Sequence, residues 1–289
     1  MKVHLVDGTY ELFRCFYGAP SKKHQGREVG ATRALVRSLA AWLRSGDVTH
    51  IACAFDTVIE SFRNQLFTGY KTGEGIDPDL WSQFELVERA VKALGITVWS
   101  MIDFEADDAI ATAAHKFMKN GSVKQVLLCS PDKDLAQCVI GQKVVGYDRG
   151  KNVILDEDGV VAKFGVSPES IPDLLALVGD TADGIPGIER WGMKSASTVL
   201  AAYGTLDKIP AKAKDWKVAV RGAEALAESL NASRKEAALY KKLATIRYDV
   251  PLKETLKEIE WKGADARALE KIADEIADPE LAKRIERWA

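Results

Sequence analysis

Residues 2–7 read K-V-H-L-V-D, a short apolar and β-branched run that ends in the carboxylate Asp7. Runs of this length and composition predict buried β-strands, and three more follow it: T-H-I-A-C-A-F-D (49–56), I-T-V-W-S (96–100) and Q-V-L-L-C-S (125–130). Between these runs, apolar residues at helical spacing predict helices over 29–44, 77–94 and 105–119. The alternation predicts an α/β fold with a mostly parallel central sheet flanked by helices.

The pattern changes in the second half of the chain. The segments at 143–147 and around 153–156 are expected to complete the sheet. From about residue 157 the spacing is helical, with helices expected near 168–178, 193–203, 221–231, 233–244 and 265–288. We therefore expect an α/β core at 1–156, a helical part at 157–262 and a helical extension at 263–289.

The composition is that of a globular protein and excludes a disordered or fibrous one. The chain has 289 residues, 47% of them hydrophobic and 28% charged, as in ordinary globular proteins. Its net charge of −2 means that any nucleic-acid surface must come from local patterning. The four cysteines form no C-x-x-C pair, so reduced thiols are expected. No apolar run reaches the ~18 residues of a membrane span, and we expect a cytoplasmic protein without membrane contact.

Acidic residues follow nearly every predicted strand, where ligands bind in open α/β sheets. Asp7 and Asp56 close the first two strands, and D-F-E-A-D-D-A (103–109) follows the third. S-P-D-K-D-L places Asp132 and Asp134 after the fourth strand, and V-G-D-T-A-D places Asp180 and Asp183 in a loop of the helical part.

Each acid taken singly is equally consistent with a helix cap. If Asp103 caps a helix, Glu105, Asp107 and Asp108 occupy its first turn, and Glu105 and Asp108 share a face. One cap needs only one acid, however, and clustered carboxylates are unstable without a cation. Oxygen-only ligands favour Mg²⁺ or Mn²⁺, and so many acids favour two ions.

Six motifs resemble the bacterial 5′–3′ exonuclease and flap endonuclease family, which includes the 5′ nuclease domain of DNA polymerase I. They are V-D-G, F-D-T, S-F-R-N-Q-L-F-T-G-Y-K, F-E-A-D-D-A, S-P-D-K-D-L-A-Q and L-V-G-D-T-A-D-G-I-P-G. With the later stretches R-G-A-E-A-L-A-E-S-L (221–230) and L-A-T-I-R-Y-D-V (243–250), the resemblance covers roughly residues 1–262 in consistent order. The resemblance implies a PIN-like 5′ nuclease fold. No polymerase sequence is present, so we expect a stand-alone nuclease.

The resemblance also implies a two-metal mechanism in which activated water hydrolyses DNA at 5′ ends, nicks or 5′ flaps, leaving 5′-phosphate and 3′-hydroxyl products. It implies that a second ion is bound mainly by Asp134, Asp180 and Asp183. It assigns the first ion to six acids, some through water: Asp7, Asp56, Glu105, Asp107, Asp108 and Asp132. Asp103 has no counterpart in the family motif and is expected to be a cap or loop acid.

Four further residues are implied to contact DNA near the reacting phosphate. Lys71 would contact the scissile phosphate, and Tyr70 would stack on an unpaired base at the foot of a helical arch at about 70–94. Arg14 and Arg63 match phosphate-contacting positions. The alternative, solvated cations on helix faces, stays open for Arg63 above all. The arch carries Glu74, Asp77 and Asp79, and this acidity argues against efficient threading of a flap.

The segment P-G-I-E-R-W-G-M-K-S-A-S-T-V-L (186–200) resembles the start of a helix–hairpin–helix at about 186–203, which contacts duplex phosphates. The implied DNA-binding residues are Gly187, Gly192, Lys194 and Ser195. In the family this hairpin can bind K⁺, but Arg190 replaces its first glycine, which puts both the hairpin geometry and the K⁺ site in question.

Two other functions compete with a DNA-cleaving nuclease. An RNA-cleaving nuclease could use a related acidic site, although compact enzymes of that kind usually lack the hairpin and the helical half. A non-catalytic DNA-binding module would be expected to have lost acids, and none is lost. We expect a monomer that acts on DNA, with a separate DNA polymerase as a candidate partner.

Overall fold

The computed structural model describes all 289 residues, which form two compact units. The first unit comprises Met1–Ile59, Gly73–Ser130 and Tyr248–Ala289, and the second comprises Glu60–Thr72 and Pro131–Arg247. Each unit is therefore assembled from segments that are distant in the sequence.

The structure contains eight β-strands. They are β1 Lys2–Asp7, β2 Lys23–His24, β3 Arg27–Glu28, β4 His50–Asp56, β5 Thr97–Met101, β6 Gln125–Cys129, β7 Val144–Asp148 and β8 Val153–Leu155. All six strands expected from the sequence form, each within one residue of the expected ends.

Twelve α-helices accompany the strands. They are α1 Gly8–Gly18, α2 Gly30–Arg44, α3 Phe62–Leu66, α4 Pro78–Trp81, α5 Phe84–Ala93, α6 Ala106–Phe117, α7 Glu157–Phe164, α8 Ile171–Val178, α9 Met193–Tyr203, α10 Ala223–Ala232, α11 Arg234–Ala244 and α12 Ala266–Glu275. None of them is long and apolar enough to cross a bilayer.

The first unit is built on four parallel strands in the order β5-β4-β1-β6. Residues of β1 and β4 such as Leu5 and Ile51 are fully buried, because helices cover both faces of a parallel sheet. In the register, Asp7 pairs with Ala54 and Asp56 pairs with Met101. Asp7 and Asp56 therefore reach the same carboxyl edge of the sheet, and the expected α/β class is confirmed.

The second unit is mainly helical, with β7 and β8 as an antiparallel pair. Helix α8 packs against α9 and α11. The hydrophobic core of this unit includes Leu174, Leu177, Trp191, Val199 and Leu243. The helices expected near 168–178, 193–203, 221–231 and 233–244 form close to their expected positions, the first of them beginning with a 3-10 turn at Pro168–Ser170.

Asp103, which was expected to be a cap or loop acid, is a loop acid: it is exposed in the bend before α6, and Glu105 is the N-cap residue of that helix. Other expectations about helices were wrong. The expected helix over 265–288 ends at Glu275, because Ala277 has a φ of 49° and Pro279 follows. The stretch at 77–94 is divided into α4 and α5, and α1, which occupies 8–18, was not expected at all.

Gly95 lies in the turn between α5 and β5 and packs closely against the C-terminal segment of the chain. Its φ is 78°, and a Cβ built there would lie 1.8 Å from the carbonyl oxygen of Gly263. The neighbouring Trp261 indole donates to the Leu94 carbonyl at 2.8 Å. The close approach of these two chain segments requires a residue without a side chain.

We expect Gly95→Ala to lower the free energy of unfolding by well over 1 kcal/mol, because it adds a backbone clash to the left-handed strain. Gly46→Ala is the matched control, since Gly46 has a φ of 80° and nothing within 4 Å of its added Cβ. That control should cost only about 1 kcal/mol. Equal losses in urea denaturation would contradict this account of Gly95.

Candidate metal and DNA site

Asp7 joins the ends of two neighbouring strands in the first unit. It caps α1, with its Oδ1 accepting from the Tyr10 N–H at 2.8 Å. Its Oδ2 accepts from the hydroxyl of Ser130, which directly follows β6, at 2.9 Å. The carboxylate is only 7% exposed, and these donors stabilise its charge.

Asp56 links the first turns of two helices at the same edge. Its Oδ1 accepts from the Ala106 N–H at 2.8 Å, and its own N–H donates to the Thr9 hydroxyl at 2.7 Å. The first turn of α6 therefore lies against the end of β4. Asp56 is half-buried, so part of its carboxylate is accessible.

Glu105 and Asp108 are linked at the start of α6. Asp108 Oδ2 accepts from the N–H of Glu105, the N-cap residue, at 3.1 Å. Asp108 is fully buried, whereas Asp107 is half-buried. Asp108 thus fixes the position of Glu105, and its direct contact with a metal stays a prediction.

The second unit gathers another acidic cluster. Carboxylate oxygens of Asp134, Asp180 and Asp183 lie within 4.8 Å of one another. Asp132 adjoins them in sequence, and its Oδ1 accepts from the Asp134 N–H at 2.9 Å. Burial raises the pKa of Asp134 well above its usual value, and repulsion from Asp132, Asp183 and Asp180 adds to this effect.

Two lysines neutralise part of this cluster. Lys133 Nζ lies 2.6 Å from Asp180 Oδ2, and Lys71 Nζ lies 3.0 Å from Asp183 Oδ1. The backbone of Lys71 also donates to the Asp183 carbonyl at 3.0 Å. Asp134 has no such partner, and its Oδ1 is buried without any hydrogen bond.

The donor set fits a divalent metal ion. Only carboxylate oxygens are present, which are the ligands of hard cations. An unpaired buried carboxylate oxygen costs several kcal/mol unless a cation or donor reaches it. The geometry therefore supports a metal at Asp134, Asp180 and Asp183, as the family resemblance implied.

Of the residues implied to contact DNA, Arg14 and Lys71 are partly exposed, whereas Tyr70 is buried. Arg14 is 41% exposed, and its Nε donates to Glu11 at 3.2 Å. The ammonium of Lys71 is 5.6 Å from the centroid of the Tyr70 ring, but that ring is only 3% exposed and belongs to the core of the second unit. A buried ring is not available to stack on a base.

Arg63 also has a structural position. It is 3% exposed, and its guanidinium donates to the carbonyls of Leu243 at 2.8 Å and Thr245 at 3.1 Å. The side chain therefore joins α3 to the end of α11. This geometry argues against a phosphate contact and for a role in holding the segment that carries Lys71.

The hairpin preceding α9 forms despite the arginine in it. Arg190 adopts a φ of 71°, the left-handed conformation that glycine would adopt without strain, and Gly187 has a φ of 76°. Trp191 is buried, and its indole donates to the Leu226 carbonyl at 3.1 Å. The hairpin is therefore anchored by its tryptophan, while Arg190 remains 62% exposed.

The helix that follows presents the expected polar groups. Gly192 caps α9, and the Ser195 hydroxyl oxygen accepts from the Gly192 N–H at 3.1 Å. Lys194 is exposed in the first turn. Backbone N–H groups and a cation thus lie together where the resemblance implied a phosphate contact.

Three residues that support these clusters were not predicted from the sequence. Ser130 and Glu11 hold Asp7 and Arg14, and Lys133 neutralises Asp180. The three-residue spacing of Glu11 and Arg14 on a helix was a usable signal. Lys133 was visible between two acids in S-P-D-K-D, but only the fold brings it to Asp180.

Comparison with known proteins identifies relatives along most of the chain. Residues 2–165 match the model of the 5′–3′ exonuclease N-terminal resolvase-like domain, and residues 166–267 match the 5′–3′ exonuclease C-terminal SAM fold. The chain is 34% identical over 258 residues to a 5′–3′ exonuclease of Buchnera aphidicola, covering 88% of this chain and 84% of that protein.

A polymerase and a phage protein extend this picture. The chain is 36% identical to DNA polymerase I of Pseudomonas aeruginosa over 86% of its own length but 27% of the polymerase, so it spans about a quarter of that relative. The T5 D15 protein co-crystallised with metal ions has a TM-score of 0.68 at 20% identity, covering 98% of this chain and 100% of that one. This second likeness concerns the fold.

We expect Arg190→Gly to be more stable than Arg190→Ala by about 1 kcal/mol, because both remove the same charge but only glycine relieves the left-handed strain. Urea denaturation of the two variants measures the difference. Equal stabilities would contradict the positive φ at this position.

We expect Asp134→Asn to lose the part of the Mn²⁺ stabilisation that comes from the ion of the second unit, without destabilising the metal-free protein, because it removes one of several repelling carboxylates. In the unsubstituted protein, Mn²⁺ at about a hundred times the dissociation constant of this site should add ~2.7 kcal/mol to the free energy of unfolding from this site alone. Asp158→Asn, at an exposed acid of α7, is the control and should keep the full gain. An undiminished Mn²⁺ effect in Asp134→Asn would remove Asp134 from the ligand set.

Proposed function

This chain belongs to the 5′–3′ exonuclease family, and we propose that it is a divalent-metal-dependent 5′ nuclease that hydrolyses DNA phosphodiester bonds. The observation that carries the proposal is the cluster of Asp134, Asp180 and Asp183, in which one buried carboxylate oxygen lacks any partner. Phosphodiester hydrolysis by paired hard metals needs acids of this kind. The relatives named as 5′–3′ exonucleases support the same activity.

The proposed metals are two Mg²⁺ or Mn²⁺ ions, one for each acidic cluster. Asp7, Asp56, Glu105 and Asp107 are the proposed ligands in the first unit, with Asp108 acting through Glu105. Asp134, Asp180 and Asp183 are the ligands in the second unit, and Asp132 stays assigned to the first ion by the family resemblance alone. When bound, such ions activate water and stabilise charge on the phosphate oxygens.

The lysines of the second unit have separate proposed roles. Lys133 Nζ holds Asp180 in place through its 2.6 Å contact. Lys71 Nζ holds Asp183 at 3.0 Å and, once a metal neutralises that acid, can donate instead to a phosphate oxygen. Arg14 is the corresponding cation of the first unit, positioned by Glu11.

Duplex DNA is proposed to bind at the hairpin through its phosphates. Lys194, Ser195 and the backbone N–H groups near Gly192 offer donors without base recognition. Arg190 keeps the hairpin conformation that the family achieves with glycine, so K⁺ binding through the backbone of this hairpin stays a proposal.

The substrate proposed is DNA with a 5′ end, a nick or a 5′ flap. The segment expected to form the arch carries Asp77 as the cap of α4, and Asp79 is paired with Lys23 at 3.4 Å. Its acidity disfavours a threaded single strand, so we propose that nicks and recessed 5′ ends are cut in preference to long flaps. A monomer working beside a separate DNA polymerase is proposed from the same resemblance.

A cleavage assay tests the function. Labelled nicked, 5′-flap and blunt DNA duplexes and a matched RNA are incubated with the protein in Mg²⁺, in Mn²⁺ and in EDTA. We expect metal-dependent release of 5′-phosphorylated products from DNA, with the nicked duplex cut fastest. RNA cleavage with intact DNA would establish the alternative nuclease, and binding without cleavage would establish a non-catalytic module.

Variants separate catalysis from folding in the same assay. Asp183→Asn should lower the cleavage rate by at least ~10²-fold, because a metal ligand and the partner of Lys71 are both lost. Asp158→Asn again serves as control and should cleave normally. Normal cleavage by Asp183→Asn would exclude this cluster as the reacting site.

A further inference from the structure

Three arginines in the first unit converge on one buried carboxylate, far along the sequence from the metal ligands. Arg33 and Arg37 lie four residues apart on one face of α2, and Arg284 lies in the 3-10 turn Ala282–Arg284, which packs against both α2 and α12. Their shared partner is Asp278, which is fully buried in the loop after α12. Asp278 and Arg284 both lie beyond residue 267, where the match to the family model ends.

Only one of the three guanidinium groups is satisfied by this carboxylate. Arg37 donates to both Asp278 oxygens, at 2.5 and 2.6 Å. Arg33 Nε lies 3.7 Å from Asp278 Oδ2, too far for a hydrogen bond. The pKa of Asp278 is held below its usual value, chiefly by the hydrogen bonds from Arg37, with Arg33 and Arg284 adding to the effect.

The cluster therefore carries an excess of positive charge and of unused donors. Three cations surround one anion, and the Nε atoms of Arg33 and Arg284 are buried without a hydrogen-bond partner. Neighbouring acids are engaged elsewhere: Glu280 pairs with Lys283, and Glu275 pairs with Arg89. Buried charge without compensation is costly, so this arrangement favours a second anion.

The outer parts of the arginines are open to such a ligand. A quarter of the Arg33 side chain and a third of the Arg37 side chain are exposed, and Arg284 is half-buried. Guanidinium groups match the oxygen geometry of phosphate through paired N–H donors. A phosphate group can also balance more of the excess charge than a single carboxylate can.

We propose that Arg33, Arg37 and Arg284, arranged around Asp278, form a phosphate-binding site on the first unit that is separate from the metal ligands. Arg37 and Asp278 act as the scaffold, and the exposed parts of the Arg33 and Arg284 side chains supply the donors. The phosphate comes either from the DNA backbone or from free phosphate in solution. The site does not depend on the proposed hydrolysis, since it needs no metal.

The first arm of the test measures binding of inorganic phosphate in EDTA by thermal unfolding at matched ionic strength, with chloride as reference. Phosphate at about five times its dissociation constant should raise the melting temperature by roughly 2 °C. Arg284→Gln and, separately, Arg33→Gln should lose this shift. Lys283→Gln is the matched control, because it removes the same charge from the adjacent exposed residue, and it should keep the shift.

The second arm measures the affinity for a nicked DNA duplex in EDTA against salt concentration by fluorescence anisotropy. If the ligand is a backbone phosphate, Arg284→Gln should reduce the slope of log affinity against log salt by about 0.9 relative to Lys283→Gln. Loss of the thermal shift with an unchanged slope would identify free phosphate as the ligand.

The proposal is overturned if phosphate raises the melting temperature no more than chloride does and if Arg284→Gln and Lys283→Gln give equal slopes of log affinity for DNA against log salt. The melting temperature of each variant in chloride shows whether it is folded. Arg284→Gln is the primary variant because its guanidinium makes no hydrogen bond whose loss would release the C-terminal segment. Cleavage of DNA with the site inactive would leave the proposed nuclease intact, so the two proposals fail separately.

Discussion

The hydrogen bond from the Ala106 N–H to the Asp56 carboxylate brings together the end of a strand and the start of a helix fifty residues later. The same constraint recurs at Asp7, whose two oxygens are held by Tyr10 and Ser130. Buried acids need donors that stabilise their charge, and helix first turns provide donors of fixed direction. The edge of the parallel sheet can therefore display several carboxylates without the first unit losing its packing.

In the second unit, lysine side chains help to stabilise the charge of the buried carboxylates. Asp134 is repelled by Asp132, Asp183 and Asp180, while Lys71 pairs with Asp183 and Lys133 pairs with Asp180. The buried carboxylate oxygen without a hydrogen bond belongs to Asp134. A divalent cation at this oxygen would relieve both the repulsion and the missing hydrogen bond.

Positively charged side chains are notable at two places, although the net charge of the molecule is −2. Arg190 keeps an exposed guanidinium at a backbone position that disfavours it, so a cation is retained at a cost in local stability. Arg33 and Arg284 supplement an ion pair that Arg37 already completes with Asp278. The arginines around Asp278 are the ones that we propose to bind phosphate.

Local patterning was sufficient to predict six of the eight strands within one residue, the helix from 193 to 203 and the acids that end β1 and β4. These features follow from side-chain periodicity, which a short window of sequence contains. Patterning failed where the structure depends on contacts between segments that are distant in the sequence. Glu105 was expected in the first turn of α6 but is its N-cap residue, and the Ala106 N–H that follows it donates to the distant Asp56. Tyr70 and Arg63 had the composition of DNA contacts, yet Tyr70 lies in the core of the second unit and Arg63 is buried against the carbonyls of Leu243 and Thr245. Pro279 was a local signal for the end of α12, whereas the pairing of Arg37 with Asp278 joins residues 241 positions apart. A short window of sequence cannot predict such pairing, because burial and charge compensation are properties of the assembled chain and not of any segment within it.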